Sequence, residues 1–162
     1  MLRRFSFGNL NSVVDLGMQR VLIRQASSND LPWIKTLLET NGLPIIGVEE
    51  WFGNFVVALD GKGNRVGVAG CELYKHAGLL RSVAVEEEYR NAGYARALLD
   101  VVLKNAKQKG VSLLYLFTND AKGYFKRFGF EEVTREQMDE GVKASHEFTE
   151  CCTSCTAMLK TL

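Results

Sequence analysis

Residues 79–103, LLRSVAVEEEYRNAGYARALLDVVL, constrain the fold more than any other part of the sequence. A strand pattern runs through LLRSVAV into a short acidic turn. Arg90-x-x-Gly93-x-Ala95 then opens directly into a helix that keeps Leu98, Leu99, Val102 and Ala106 together and stops at Gly110. At the start of such a helix up to four backbone N–H groups lack partners and the macrodipole is positive, so a phosphate can be held without a lysine. Gly93 lets the backbone come close, Arg90 adds a forked cationic donor, and Ala95 keeps the second approach small. The same glycine could also stand there for purely structural reasons. The turn lacks the G-K-[ST] of a P-loop and the third glycine of a dinucleotide fingerprint, which removes both of those readings.

The flanking elements complete a mixed α/β reading. VLIRQA is a strand; Ser27 and Asp30 form a capping-box pair ahead of a helix with Leu31, Ile34, Leu37 and Leu38 on one face, ended by Gly42. A short helix is expected near VEEWF. NFVVALD, RVGVAGCELY and LLRSVAV, joined by the turns GKGN and KHAG, form a three-stranded antiparallel meander. After the long helix come a strand VSLLYLF, a helix over DAKGYFKRF, a strand FEEVT, a helix near REQMDEGVKAS and a last strand near CTAMLKTL. This order predicts one mixed sheet with an antiparallel first half and a strand–helix–strand crossover in the middle. Residues 1–17 carry arginines and serines without the apolar run of a secretory signal, and MQRVLIRQA is a natural strand start. They are therefore expected to form an extension outside a single domain spanning residues 18–162.

A chain of 162 residues can bury roughly two thirds of its unfolded surface in one core. Twenty basic against nineteen acidic side chains leave a net charge of +1, which offers no footprint for nucleic acid. The longest apolar runs fall short of the roughly 20 residues that a bilayer requires, so no membrane partner is expected. Cys71 stands alone, and Cys151, Cys152 and Cys155 lack the spacing of a secreted disulfide scaffold, which points to a reducing cytoplasm. The late cysteines with His146 also match a zinc site poorly, and no metal is expected.

The strand, the Arg90 turn, the following strand and AKGYFKRFGF, in that order, resemble the GNAT superfamily of acetyl-CoA-dependent N-acetyltransferases over residues 21–162. The resemblance implies a GNAT fold with splayed central strands, and acetyl-CoA as co-substrate. It implies that Val83, Ala84 and Val85 form a bulged strand along the pantetheine. It also implies that the amides of Arg90, Asn91, Ala92, Gly93, Tyr94, Ala95 and Arg96 hold the pyrophosphate, and that the helix over residues 120–128 flanks the thiol end. Asn119 and Asp120 are expected to cap that helix, with cofactor contact by Asn119 secondary. NGLPIIGVEEW, VAGCELY, YLFTNDAKGYFKRFGF, REQ and SHEF with the cysteine-containing tail resemble more closely the arsenic-resistance and amino-acid N-acetyltransferases. That implies small free amino compounds as acceptors.

The chemistry needs a neutral amine, donors for a tetrahedral oxyanion and a leaving thiolate. An α-amino group with a pKa of about 8 needs little help from a base, whereas a lysine amine at about 10.4 needs more. Glu72 is the ionisable residue within VGVAGCEL, and in GNAT enzymes a glutamate from this meander often serves as base; the other reading is one half of an ion pair. If KHAG is a four-residue loop closed by Tyr74 opposite Leu79, Glu72 faces Arg81, which makes it a weaker base and a better orienter. With Tyr74 beside it, the pair could clamp an amino acid, Arg81 on the carboxylate and Glu72 on the ammonium group; a bulge in the second strand would break that register. Many GNAT members place a general-acid tyrosine four residues before the glycine of the G-F pair. Here that position is Phe125, and Tyr124 lies one helical step of about 100° away, so it either serves the sulfur or merely packs. A thiol with a pKa of about 8.5 leaves fairly well without an acid. The expected protein is an acetyltransferase with a small-molecule amine acceptor, with homodimerisation left open. The alternatives are a non-catalytic acyl-CoA-binding regulatory module, or acetylation of a protein N-terminus or lysine.

Overall fold

The computed structural model describes residues 11–162. Its strands are β1 (Ser12–Leu16), β2 (Gln19–Gln25), β3 (Phe55–Leu59), β4 (Arg65–Tyr74), β5 (Ala77–Val85), β6 (Leu113–Thr118), β7 (Glu131–Val133) and β8 (Thr156–Thr161). The helices are α1 (Leu31–Thr40), α2 (Val48–Trp51), α3 (Tyr94–Gln108), α4 (Lys122–Lys126) and α5 (Glu140–Lys143). The strands form one mixed sheet in the order β1-β2-β3-β4-β5-β6-β8-β7. β1 through β4 run antiparallel in succession, β5 and β6 pair in parallel across the α3 crossover, and β8 lies antiparallel to both β6 and β7.

The sheet begins inside the stretch expected as an extension. Ser12 pairs with Ile23 and Leu16 with Gln19, and Gly17 turns the chain at φ +63°. An edge strand with only alternate residues half-buried carries a weak apolar pattern, which is why SVVDL reads as a tail in isolation. Residues 1–10 of the expected extension lie outside the described residues.

Two compact units share the chain. One runs to Cys71 and resumes over Ser82–Asn105; the other comprises Glu72–Arg81 and Ala106–Leu162. In the first, Ile34, Leu37 and Leu38 of α1 join Val48, Phe55 and Val57 in an apolar core. The start of α1 is fixed by the Asp30 carboxylate, which accepts from Ser27 N at 2.7 Å, Arg24 Nη1 at 2.6 Å and Arg65 Nε at 2.7 Å. Burial works against that charge, yet the Arg24 and Ser27 bonds hold the carboxyl well below the usual range. In the second unit Ala77 and Leu79 of β5 pack with Tyr115, Met138, Val142 and Ala157.

Three local details depart from expectation. The β4–β5 turn is Lys75 and His76 alone, with Lys75 left-handed at φ +58°, rather than the four residues KHAG. Neither Asn119 nor Asp120 caps α4; Thr118 Oγ1 accepts from Ala121 N at 3.0 Å instead. The helix expected near REQMDEGVKAS divides into a 3-10 turn, Arg135–Gln137, and α5. Thr134 caps the first by accepting from Gln137 N, and Asp139 caps the second by accepting from Gly141 N, and each cap starts its own element. Ser82 takes a left-handed φ of +59° within β5. The parallel ladder covers three pairs, from Ala77–Leu113 to Leu79–Tyr115, and both strands run on beyond it.

Candidate active site

The second unit contains a buried cluster of charge. Glu72 and Tyr74 stand two residues apart on β4 and so share a face. In a two-residue hairpin the position across from Glu72 is Leu79, and Arg81 becomes a diagonal neighbour, a separation that a long side chain spans. Arg81 Nη1 donates to Glu72 Oε1 at 2.6 Å, and the Tyr74 hydroxyl donates to Glu72 Oε2. The expected pairing thus forms although the expected loop does not. Glu147 completes the cluster, with Oε1 at 3.6 Å from Arg81 Nε. The Arg81 side chain has no exposed surface. An acceptor carboxylate clamped there would have to compete with the two acids that already flank the guanidinium.

No sequence pattern singles out Glu147, although it lies within SHEF. Nothing in its local pattern separates it from a solvated glutamate; burial decides its character. It opens a π-helical turn, Glu147–Cys151, closed by Cys152 N donating to Glu147 O at 2.9 Å. Arg135 fastens that turn: Nη1 donates to Cys152 O and Nη2 to Phe148 O, both at 2.6 Å, while the guanidinium lies 4.3 Å over the Phe148 ring. Burial pushes the Glu147 carboxyl up to about 7, with Arg81 opposing the shift and Glu72 adding to it. The folded chain therefore keeps a proton on Glu147 that the unfolded chain gives up near 4.5. This contribution to stability is fully present below about 4.5 and lost as pH rises through about 7. Urea denaturation across that window should show stability falling with pH in the wild type and a flatter dependence in Glu147→Gln; equal slopes would contradict the burial argument.

The three late cysteines are free thiols. Burial and the adjacent Cys155 push Cys152 up to about 12, and burial with Glu147 raises Cys151, so both are poor nucleophiles at neutral pH. No group of three His, Cys, Asp or Glu side chains among the described residues is arranged to hold a metal ion.

In the first unit, Asn91 at φ +61° and Gly93 at φ +90° bring the chain into α3. Asn91, Ala92 and Gly93 are exposed, whereas Tyr94 is buried with its hydroxyl donating to Gln19 Oε1 at 3.0 Å. The intrahelical ladder starts with Ala97 N donating to Gly93 O at 3.1 Å. Ala95 is half-buried and Arg96 exposed. Arg90 is held by the protein: Nε donates to Val85 O at 3.1 Å and Nη2 to Asn41 Oδ1 at 2.5 Å. Its role is at least partly to brace the turn. No acidic side chain occurs from Arg90 to Arg96, and the left-handed turn with its amides fits an anion. Val83 is half-buried, with Ala84 and Val85 buried on β5 just before it.

Tyr124 on α4 is half-buried in an aromatic group, its ring 5.0 Å from that of Phe128 and 5.5 Å from that of Phe125, with Arg127 over it at 5.6 Å. Asn119 is exposed in the bend before α4.

The acetyltransferase (GNAT) domain family matches residues 51–132, and the chain belongs to that family of acyltransferases. An uncharacterized N-acetyltransferase of Chlorobaculum tepidum is 31% identical over 122 residues, covering 70% of this chain and 74% of the relative. An amino-acid acetyltransferase of Neisseria meningitidis is 28% identical over 128 residues, 74% of this chain; the chain spans only 29% of that relative's length. The N-acetylglutamate synthase of Neisseria gonorrhoeae, solved with coenzyme A and N-acetyl-glutamate, shares the fold at a TM-score of 0.76. It is 23% identical, with 88% of this chain and 35% of that one covered. No helix among the described residues is long and apolar enough to cross a membrane.

Proposed function

We propose that this chain is an acetyl-CoA-dependent N-acetyltransferase whose acceptor is the primary amino group of a small, amino-acid-like molecule. The observation that carries the acceptor is the buried cluster in which two carboxylates, Glu72 and Glu147, surround one guanidinium, Arg81. Such a cluster favours an incoming ammonium group and has a carboxylate to take its proton. Coenzyme A supplies the activated acetyl thioester when bound. The amides of residues 91–96, at the start of α3, hold its pyrophosphate, and Gly93 keeps the approach open. Glu72, gripped by Arg81 and Tyr74, orients the amine. The naming of relatives as amino-acid acetyltransferases supports the acceptor class.

Thiol release from acetyl-CoA with a panel of amines tests this reading. An acidic amino acid should be acetylated at least about 10-fold faster, by kcat/KM, than a lysine-containing peptide, since a site that binds a small polar acceptor leaves its buried groups unmatched by a bulkier one. An arsenical or phosphonate amino-acid analogue in the panel tests a resistance role. Preference for the peptide would move the acceptor to a protein amine. Coenzyme A binding without thiol release to any amine would leave a regulatory binding module.

A further inference from the structure

The two carboxylates beside Arg81 are not equivalent. Glu72 has both oxygens engaged, Oε1 by Arg81 Nη1 at 2.6 Å and Oε2 by the Tyr74 hydroxyl. Charge-assisted bonds of this kind hold the Glu72 side chain in place. Glu147 stands 3.6 Å from Arg81 Nε, beyond hydrogen-bond reach, and takes no side-chain hydrogen bond from the described residues although it is only 5% exposed. Asn54 Oδ1 is the fully buried side-chain polar atom without a partner among the described residues, so the Glu147 oxygens keep a little contact with solvent, which leaves them open to an incoming group.

We propose that Glu147 accepts the proton leaving the acceptor's ammonium group, with Glu72 as a positioning residue. This assignment rests on the acetyltransferase reading above. An N–H bond of the ammonium breaks and its proton passes to a Glu147 carboxylate oxygen. The freed lone pair forms the C–N bond to the acetyl carbonyl carbon, and the C–S bond breaks with its electron pair on sulfur. The second proton lost by nitrogen ends on the thiolate, and Glu147 returns its own to water. Burial, which raises the Glu147 carboxyl to about 7, brings it close to an α-amino group at about 8, where proton transfer is nearly balanced. The groups that face Glu147 are Arg81 from β5, Glu72 from β4, and Cys151 and Cys152 from its own turn. Both thiols are shifted upward and stay protonated through the neutral range, so the charges beside it are those of Arg81 and Glu72.

The test is the pH profile of kcat/KM for wild type, Glu147→Gln and Glu72→Gln, with coenzyme A affinity by calorimetry and carbon NMR of carboxyl-labelled glutamate in the wild type and Glu147→Gln. The wild type should show an acid limb near 7. Glu147→Gln should lower kcat/KM at neutral pH by about 100-fold or more and move the limb up to the acceptor amine's own value of about 8, with coenzyme A affinity unchanged. Glu72→Gln should lower the rate and keep the limb. NMR should show a glutamate carboxyl titrating near 7 in the wild type and missing from the variant. The assignment is overturned if Glu147→Gln keeps its rate and limb, if Glu72→Gln is the variant that loses the limb, or if no wild-type glutamate titrates near 7. The last measurement decides even where a variant does not fold. A wild type that acetylates no amine overturns the functional reading together with this one; an active wild type whose limb survives in Glu147→Gln overturns this one alone.

Discussion

Gly93→Glu is expected to abolish coenzyme A binding. Gly93 holds φ +90°, a conformation that costs an L residue about 1–3 kcal/mol, and an added Cβ would lie 3.2 Å from Leu16 Cδ2. Beyond that strain, the glutamate would set a negative charge among the amides that start α3, where the helix dipole favours an anion from the ligand. Affinity by calorimetry should fall by about 100-fold or more. Gly93→Ala provides the control, because it shares the strained φ and the Leu16 contact without the charge. Weakening by alanine equal to that by glutamate would assign the effect to backbone geometry alone, and unchanged affinity in both would remove the phosphate reading.

Arg81→Ala is expected to destabilise the fold by about 3–5 kcal/mol, the range for removing one partner of a buried ion pair. Glu72 is 1% exposed and Glu147 5%, so the substitution strips the cation from between two carboxylates that water barely reaches. Arg81 holds the Glu147 carboxyl down, so without it Glu147 takes its proton at higher pH; the loss should be largest in alkaline solution and shrink as pH falls to about 7, below which Glu147 is protonated with or without Arg81. Combining the change with Glu72→Gln should restore part of the stability, because the cost lies in the unpaired acid and not in the missing arginine. Urea denaturation of the single and double variants at mildly alkaline and neutral pH measures all of this. A loss below about 1 kcal/mol at neutral pH would mean that solvent already screens the pair.

The order of residues along the chain is enough for the elements whose signals are local. Helix periodicity and the glycine turn located α3, alternation and turn residues located the meander, and Ser27 with Asp30 marked the entry to α1. It also singled out Glu72, Tyr74 and Arg81, because a charge inside an apolar strand run stands out in one dimension. Local signals did not reach β1, an edge strand whose half-buried pattern acquires meaning only beside β2. Nor did they reach the Lys75 turn, where a lysine takes a left-handed φ that turn chemistry assigns to glycine or asparagine. Tertiary structure alone decided the character of Glu147: its partner Arg81 lies far off in sequence, on β5, and the turn that carries it is secured by Arg135. Whether a carboxylate is ionised depends on the water and charges around it, and that surrounding exists only once distant segments have packed.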